Sequence, residues 1–416
     1  MDASIAAYKR IDMLHVLPDG VHSSSETLCG SESWRTHESC DISDYTWALG
    51  YLLEATGDGA YADKIEKAMF NAFFGATAMN FKAIQYLSCV NQVISTRNST
   101  HIKAWTNTPR MSYQPHHYPE CCVGNIGRAL PNYVLRMYQL TEDGIAASLY
   151  GDSVYEDEDY KIVQTGGFPY GMDITLDAEV KQAFTKKLLL RIPGWSNGYQ
   201  LTLNGKDVSI PVVNGYITIP ISGKNTVVLT LKPSFCAHNS ADGGVYFTYG
   251  PYLLTLKIKE RICIDKEEKR QTKDFPAYNL YPESPWNYAV SGWESPVFTF
   301  FPPEEKSMWS YVPFEVKIKA RTLNNWDLVK MRNEKQLMQV GAFDLAALAE
   351  KDGEGLDAKQ LACGASLVKD DNVFTPKLPS ATFVEENLGE EAEITLIPYG
   401  CTNLRLTVFP KYIQYE

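Results

Sequence analysis

The spacing of apolar residues changes near residue 143, from every third or fourth position to every second. Before that point the pattern predicts helices. Residues 1–18 read as an amphipathic helix ending near Pro18, with Asp19-Gly20 as a turn. Tyr45 to Thr56 forms a second helical run, closed by Gly57-Asp58-Gly59. A third runs from about Ala60 to Ala76, with Tyr61, Ile65, Met69 and Phe73 on one face, and makes a hairpin with the second. Val21 to Ser33 is a polar loop, and residues 80–118 are irregular and suit a cleft rim. Past Pro119, Ile126, Leu130, Val134, Leu135 and Tyr138 recur at helical spacing.

From Gly144 the alternation predicts strands at Ala146–Tyr150, Lys187–Ile192, Tyr199–Leu203, Tyr216–Ile219 and Thr226–Leu231, punctuated by turns such as Asn204-Gly205. Val245–Lys259 reads as a further strand pair, and Val312–Ala320 with Glu393–Pro410 brackets the last β segment. Residues 264–310 read as loops bearing Pro and Trp, and 347–371 as a mobile insertion rich in Asp, Lys, Gly and Ala. The predicted class is α+β and multidomain: helical over 1–142, a β-sandwich over 143–260 and a second β-rich region over 261–416. The seam between such layers is a common place for a pocket.

A chain of 416 residues holds two or three domains with real cores. Its net charge of −11 argues against nucleic acid and anionic membranes, because no basic stripe is present to neutralise phosphates. The 25 Tyr and 8 Trp suit stacking on sugar rings, though packing in β cores accounts for most of them. Nine scattered cysteines do not form a disulfide framework. No stretch reaches the roughly 18 apolar residues that span a bilayer. The N-terminus has no basic-then-apolar leader pattern and reads as the middle of a helix.

The candidate chemistry centres on Cys121-Cys122. An unstrained disulfide needs Cα atoms about 4.4–6.8 Å apart, and consecutive Cα atoms are only about 3.8 Å apart. Two thiols at the start of a helical pattern suit a soft metal, and the helix N-terminus favours their ionised form. Glu38-x-Cys40 would complete four-coordinate zinc. The spacing matches no zinc finger, so buried or incidental cysteines stand as the alternative. Glu26 and Glu32 lie in the polar loop, where a glutamate beside a dry pocket can serve as general acid, or can simply be solvated. His116 and His117 are candidates for metal or substrate contact, as are His22 and His37, against the commoner role of ordinary polar contacts in a loop. Trp34, Trp47 and Trp105 could stack on a sugar or pack in the core. No G-x-S-x-G, Walker A or H-E-x-x-H motif occurs, which argues against the common serine hydrolases, P-loop enzymes and zincins.

These residues carry a resemblance. Asp19-Gly20-Val21-x-x-Ser24-x-Glu26, Glu38-x-Cys40, Cys121-Cys122 with Asn125, the hairpin around Gly57-Asp58-Gly59-Ala60-Tyr61 on to Asn71, and Arg191-Ile192-Pro193-Gly194-Trp195 together resemble the β-L-arabinofuranosidase superfamily of glycoside hydrolase families 127 and 146. Leu396-Ile397-Pro398-Tyr399-Gly400 and Phe409-Pro410 resemble its C-terminal ending. The resemblance implies an (α/α)6 barrel followed by β-sandwich domains. It implies zinc held by Glu38, Cys40, Cys121 and Cys122, with Cys121 as nucleophile and Glu26 as acid/base in a retaining glycoside hydrolase of L-arabinofuranosides or related plant-glycan sugars. His116 and His117 would then contact substrate.

Two departures stand out. Glu120 occupies a position where a small residue is common in the relatives. Only the last third to half of the barrel fits before residue 142, so the chain reads as lacking the N-terminal part. A half-barrel exposes apolar helix faces, to be covered by the missing segment or by a second copy of the chain. The compartment follows from the same point: periplasmic or secreted if a leader was lost with that segment, cytoplasmic otherwise. The rivals are a non-catalytic carbohydrate-binding or scaffold protein and a structural zinc protein.

Overall fold

A computed structural model describes residues 1–102, 108–302, 312–330 and 372–413. Trp105 and the 347–371 stretch lie outside the described residues. The chain is a mixed α/β protein in which helices gather at the N-terminal end and sheets make up most of the rest.

The first helix, α1 (Asp2–His15), lays Ile5, Tyr8 and Ile11 against the core. The next, α2 (Ser39–Thr56), starts six residues before the periodicity suggests, because Glu38 and Asp41 form a reciprocal capping box. It ends at Gly57, whose φ of 65° only glycine adopts without strain. Asp58 caps α3 (Gly59–Lys67), accepting from the Ala60 N–H at 3.0 Å. That helix continues through a π-helical stretch, Ala68–Phe73, into the short α4 (Phe74–Ala76).

After the cysteine pair the single predicted helix is instead two: α5 (Cys121–Ile126) and α6 (Ala129–Leu135). Pro131 lacks an N–H and is tolerated in the first turn of α6, not inside one long helix. The break rotates the pattern. Ala129, Asn132 and Tyr133 face inward, leaving Leu130, Val134 and Leu135 exposed at 42%, 63% and 57%, and Tyr138 falls in a strand.

Residues 138–233 build a four-stranded and a six-stranded sheet. The four-stranded one runs Tyr216–Ile221, Lys186–Arg191, Gly144–Ala147, Tyr138–Thr141, and its middle pair is parallel. Its inward residues Leu188, Leu190, Ile217 and Ile219 share one core with Ile162, Ile174 and Leu176 of the six-stranded sheet. Asn204 and Gly205, both at positive φ, turn Ser196–Leu203 into Lys206–Asp207. A third, seven-stranded sheet joins Phe235–Asn239, Val245–Tyr249 and Tyr252–Leu256 to Leu388–Pro398 and Phe314–Leu323. Three short strands, Tyr278–Pro282, Tyr288–Val290 and Val297–Phe300, lie in the stretch read as loops. They are too short, and too interrupted by Pro, to show a clear period.

Helices and sheets are bolted together by buried polar groups. Asn71, in the π-helical stretch, donates to the Lys67 and Pro251 carbonyls and accepts from the Leu253 N–H at 2.8 Å. Asn71→Leu strands these buried backbone groups and is expected to cost about 1–3 kcal/mol. A denaturant midpoint unchanged from wild type would show that the backbone finds other partners.

Candidate active site

The site forms where three segments meet. Thr36–Glu38 pairs with Leu87–Cys89, placing Glu38 opposite Leu87 at the mouth of α2. Cys40 sits in the first turn of α2, while Cys121 and Cys122 open α5. Ser43 ties the two helices by donating to the Asn125 carbonyl at 2.8 Å.

The structure thus gathers Glu38, Cys40, Cys121 and Cys122 so that one ligand atom of each lies within 4.8 Å of the others. The Cys40 and Cys122 sulfurs are 3.1 Å apart, and Glu38 Oε2 is 3.9 Å from Cys122 Sγ. Three of the four are buried; Cys121 is exposed. Glu26 also comes to the cluster: its backbone N–H donates to Glu38 Oε1 at 3.2 Å, with its own φ at 75° and its side chain in solvent.

Packing these groups together works against their charge. Burial, then the Asp41 and Glu26 carboxylates, push Glu38 up to about 7. The hydrogen bond with Cys40 raises the Cys122 thiol and lowers that of Cys40, so the pair favours one thiolate between them. Burial raises Cys121 as well. Three sulfurs and a carboxylate that resist joint ionisation form a donor set suited to a divalent cation, whose charge would offset both desolvation and mutual repulsion.

Tyr86 is a member that the sequence reading missed. Its hydroxyl lies 3.2 Å from Cys121 Sγ, and the Arg110 guanidinium lies over its ring, 4.2 Å from the centroid. Arg110 also donates to the Tyr118 carbonyl at 2.6 Å, so one buried cation braces both the tyrosine and the segment entering α5. No spacing rule finds a tyrosine 35 residues before the sulfur that it meets. Asp41, by contrast, could have been found: Glu38-x-x-Asp41 is a capping-box pattern.

The other candidates separate. His117 is buried, bonded through Nε2 to the Ile84 carbonyl at 2.8 Å, edge-on to Tyr86, and pushed by burial down to about 4. It faces Tyr86 from within the core rather than from the open side. His116 is on the surface, 3.9 Å from Glu120. Glu120 pairs with Arg270 at 2.7 Å on the rim, so its charge is matched by a guanidinium. Glu32 is held by Arg35 at 2.9 Å. His37 is buried against Asp19 at 2.9 Å; burial lowers its pKa, but Asp19, Asp41 and the bond to the Glu38 carbonyl together raise it above the usual value. His22 packs edge-on to Tyr45 and Trp47 edge-on to Tyr51, while Trp34 is buried beside Arg35 and Lys377.

Two family comparisons fall on either side of the helix-to-sheet change. Residues 28–134 match the model for the β-L-arabinofuranosidase GH127 catalytic domain, and residues 144–232 that for the GH127 middle domain. A non-reducing end β-L-arabinofuranosidase of Bifidobacterium longum subsp. longum is 23% identical over 192 residues, 44% of this chain and 28% of that protein. Among solved structures, a GH127 β-L-arabinofuranosidase from Geobacillus stearothermophilus T6 superimposes with a TM-score of 0.65 at 17% identity, over 97% of this chain and 55% of that one. A second, described as a glycoside hydrolase, gives 0.61 at 17% identity over 98% and 61%. The chain therefore matches between 28% and 61% of the length of these relatives.

Proposed function

Because the chain belongs to glycoside hydrolase family 127, through both its catalytic and its middle domain, we propose that it is a retaining glycoside hydrolase acting on L-arabinofuranosides or related plant-glycan sugars. The observation that carries the reading is the asymmetry of the sulfur cluster: three donors are buried and Cys121 alone opens to solvent, where a sugar can reach it.

In this reading Glu38, Cys40, Cys121 and Cys122 hold zinc. When bound, the ion keeps the thiols ionised near neutral pH. Cys121 Sγ attacks the anomeric carbon, forming a C–S bond as the glycosidic C–O bond breaks, and Glu26 gives its proton to the departing oxygen. Water then attacks the same carbon and yields its proton to the Glu26 carboxylate, while the C–S electron pair returns to sulfur. The Tyr86 hydroxyl fixes the direction of the sulfur. His116, at the surface beside Glu120, would contact the sugar, while His117 backs Tyr86 from the core.

We place residues 1–142 as the late helices of an (α/α)6 barrel, 143–260 as its β-sandwich and 261–416 as a second β-rich region. The exposed Leu130, Val134 and Leu135 face is where further helices or a second copy would pack. Among the described residues no helix is long and apolar enough to cross a membrane.

The first test is elemental analysis of the purified chain. About one zinc per chain, lost in Cys40→Ala, is expected. It should accompany hydrolysis of an aryl β-L-arabinofuranoside. Zinc without turnover of any arabinofuranoside would favour a structural metal, and well-folded protein without zinc would sink the reading.

A further inference from the structure

The loop that carries Glu26 is held from far away in the chain. Its base is closed by the Ser24 N–H donating to the Thr36 carbonyl at 2.8 Å. Its middle is Ser33, fully buried, whose N–H and hydroxyl both donate to Asp242 Oδ2, at 2.8 and 2.5 Å. Asp242 sits at the tip of the hairpin between Phe235–Asn239 and Val245–Tyr249, and its other oxygen accepts from Ser240 at 2.5 Å. The carboxylate is therefore oriented by its own hairpin and spends one oxygen on the loop. Neighbouring ties lead the same way. The Ser33 carbonyl accepts from Cys89, the Trp34 carbonyl pairs with His101 Nε2 at 2.8 Å, and Lys377 lies 3.9 Å from the Trp34 ring centroid.

This anchorage bears on Glu26 because Glu26 adopts a left-handed backbone conformation. A non-glycine residue there is strained and persists only where its surroundings over-determine it. The Glu26 N–H bond to Glu38 supplies one constraint, and the loop supplies the other. We propose that Asp242 is a positioning residue: by gripping Ser33 it holds the Glu26 loop at the geometry needed to pass a proton to the leaving oxygen. The β-hairpin is thus part of the catalytic apparatus although it contributes no group to the pocket. The proposal rests on the reading of Glu26 as acid/base.

The test compares Asp242→Ala with wild type on two β-L-arabinofuranosides. One carries a dinitrophenyl leaving group, which departs without protonation, and one an alkyl leaving group, which needs it. Misplacing the acid should lower kcat/KM, which reports only the step that breaks the C–O bond, by about 10-fold or more for the alkyl substrate and by less than about 2-fold for the dinitrophenyl one. Ser33→Ala, which keeps the N–H bond, should give the same selectivity more weakly and serves if Asp242→Ala does not fold. Equal loss of kcat/KM on both substrates would overturn the proposal, because general loosening of the fold does not discriminate between leaving groups. Hydrogen exchange supplies the readout that needs no turnover: amides of residues 24–36 should exchange faster in Asp242→Ala while those of α2 and α3 do not change. Unchanged loop exchange would also overturn it. If wild type cleaves neither substrate, the glycosidase reading has failed and exchange alone decides whether Asp242 is the anchor.

Discussion

Cys121→Ala should lower turnover of an aryl β-L-arabinofuranoside by on the order of 10³-fold or more, and added zinc should not restore it. On the proposed reading Cys121 is both the exposed sulfur and one of four metal donors, so its loss would have two separable effects. The variant keeps Glu38, Cys40 and Cys122, with the 3.1 Å contact between its two remaining sulfurs intact. Metal affinity should fall, yet a modest excess of zinc should refill the site. Turnover should stay lost, because no other sulfur of the cluster reaches solvent. Cys122→Ala should behave in the opposite way. It removes a buried donor and the partner of Cys40, so the main defect is metal content, and excess zinc should recover part of the activity. Measuring zinc stoichiometry and kcat on both variants, with and without added zinc, separates the roles. Full activity in zinc-loaded Cys121→Ala would remove Cys121 as nucleophile.

The second large effect is on stability. Arg191 is fully buried and ion-paired to Asp63 and Glu66, and its Nε donates to the Ser148 carbonyl at 2.5 Å. Glu66 is also buried, and burial raises its pKa even against the Arg191 guanidinium, whose removal would raise it further. Arg191→Leu takes away one member of a buried pair and leaves the other charge uncompensated, a loss of about 3–5 kcal/mol. Urea denaturation measures it as a shift in midpoint at constant slope. The double variant Arg191→Leu/Glu66→Leu should recover a large part of that loss, since it removes the stranded carboxylate as well. No recovery would mean that Arg191 acts mainly through Asp63 and the Ser148 carbonyl. The effect should appear as a loosening of helices from sheets, because Asp63 and Glu66 lie on α3 and Arg191 at the end of Lys186–Arg191.

That contact also shows what could be read from the chain alone. Arg191-Ile192-Pro193-Gly194-Trp195 stands out as a motif before any coordinates, but its purpose does not. In the structure the Gly194 N–H donates to Asp63 and the Trp195 indole to Glu66, beside Arg191, so three residues of the motif grip one turn of α3. The strands of 186–233 were legible because one face of each is buried, which writes a two-residue period into the sequence. The helix after Cys122 was legible as helix and not as two helices, since the Pro131 break preserves local periodicity while turning the face. Glu38, Cys40 and the cysteine pair were found through residue type and resemblance. Tyr86 and Asp242 were not, because their partners lie 35 and 209 residues away and neither residue type marks such an encounter.

Glu38 illustrates how unevenly this pocket would tolerate redesign. One carboxylate accepts from the first turn of α2 as its cap, receives the Glu26 N–H and turns its second oxygen toward Cys122. A replacement there must satisfy a helix terminus, a left-handed loop residue and a sulfur cluster at once. Few side chains of any size could do so. The Glu120 carboxylate, two residues before Cys122, meets Arg270 and His116 on the rim among the described residues. An engineer seeking a different sugar would therefore vary position 120 freely, pairing each change with position 270, and leave position 38 alone.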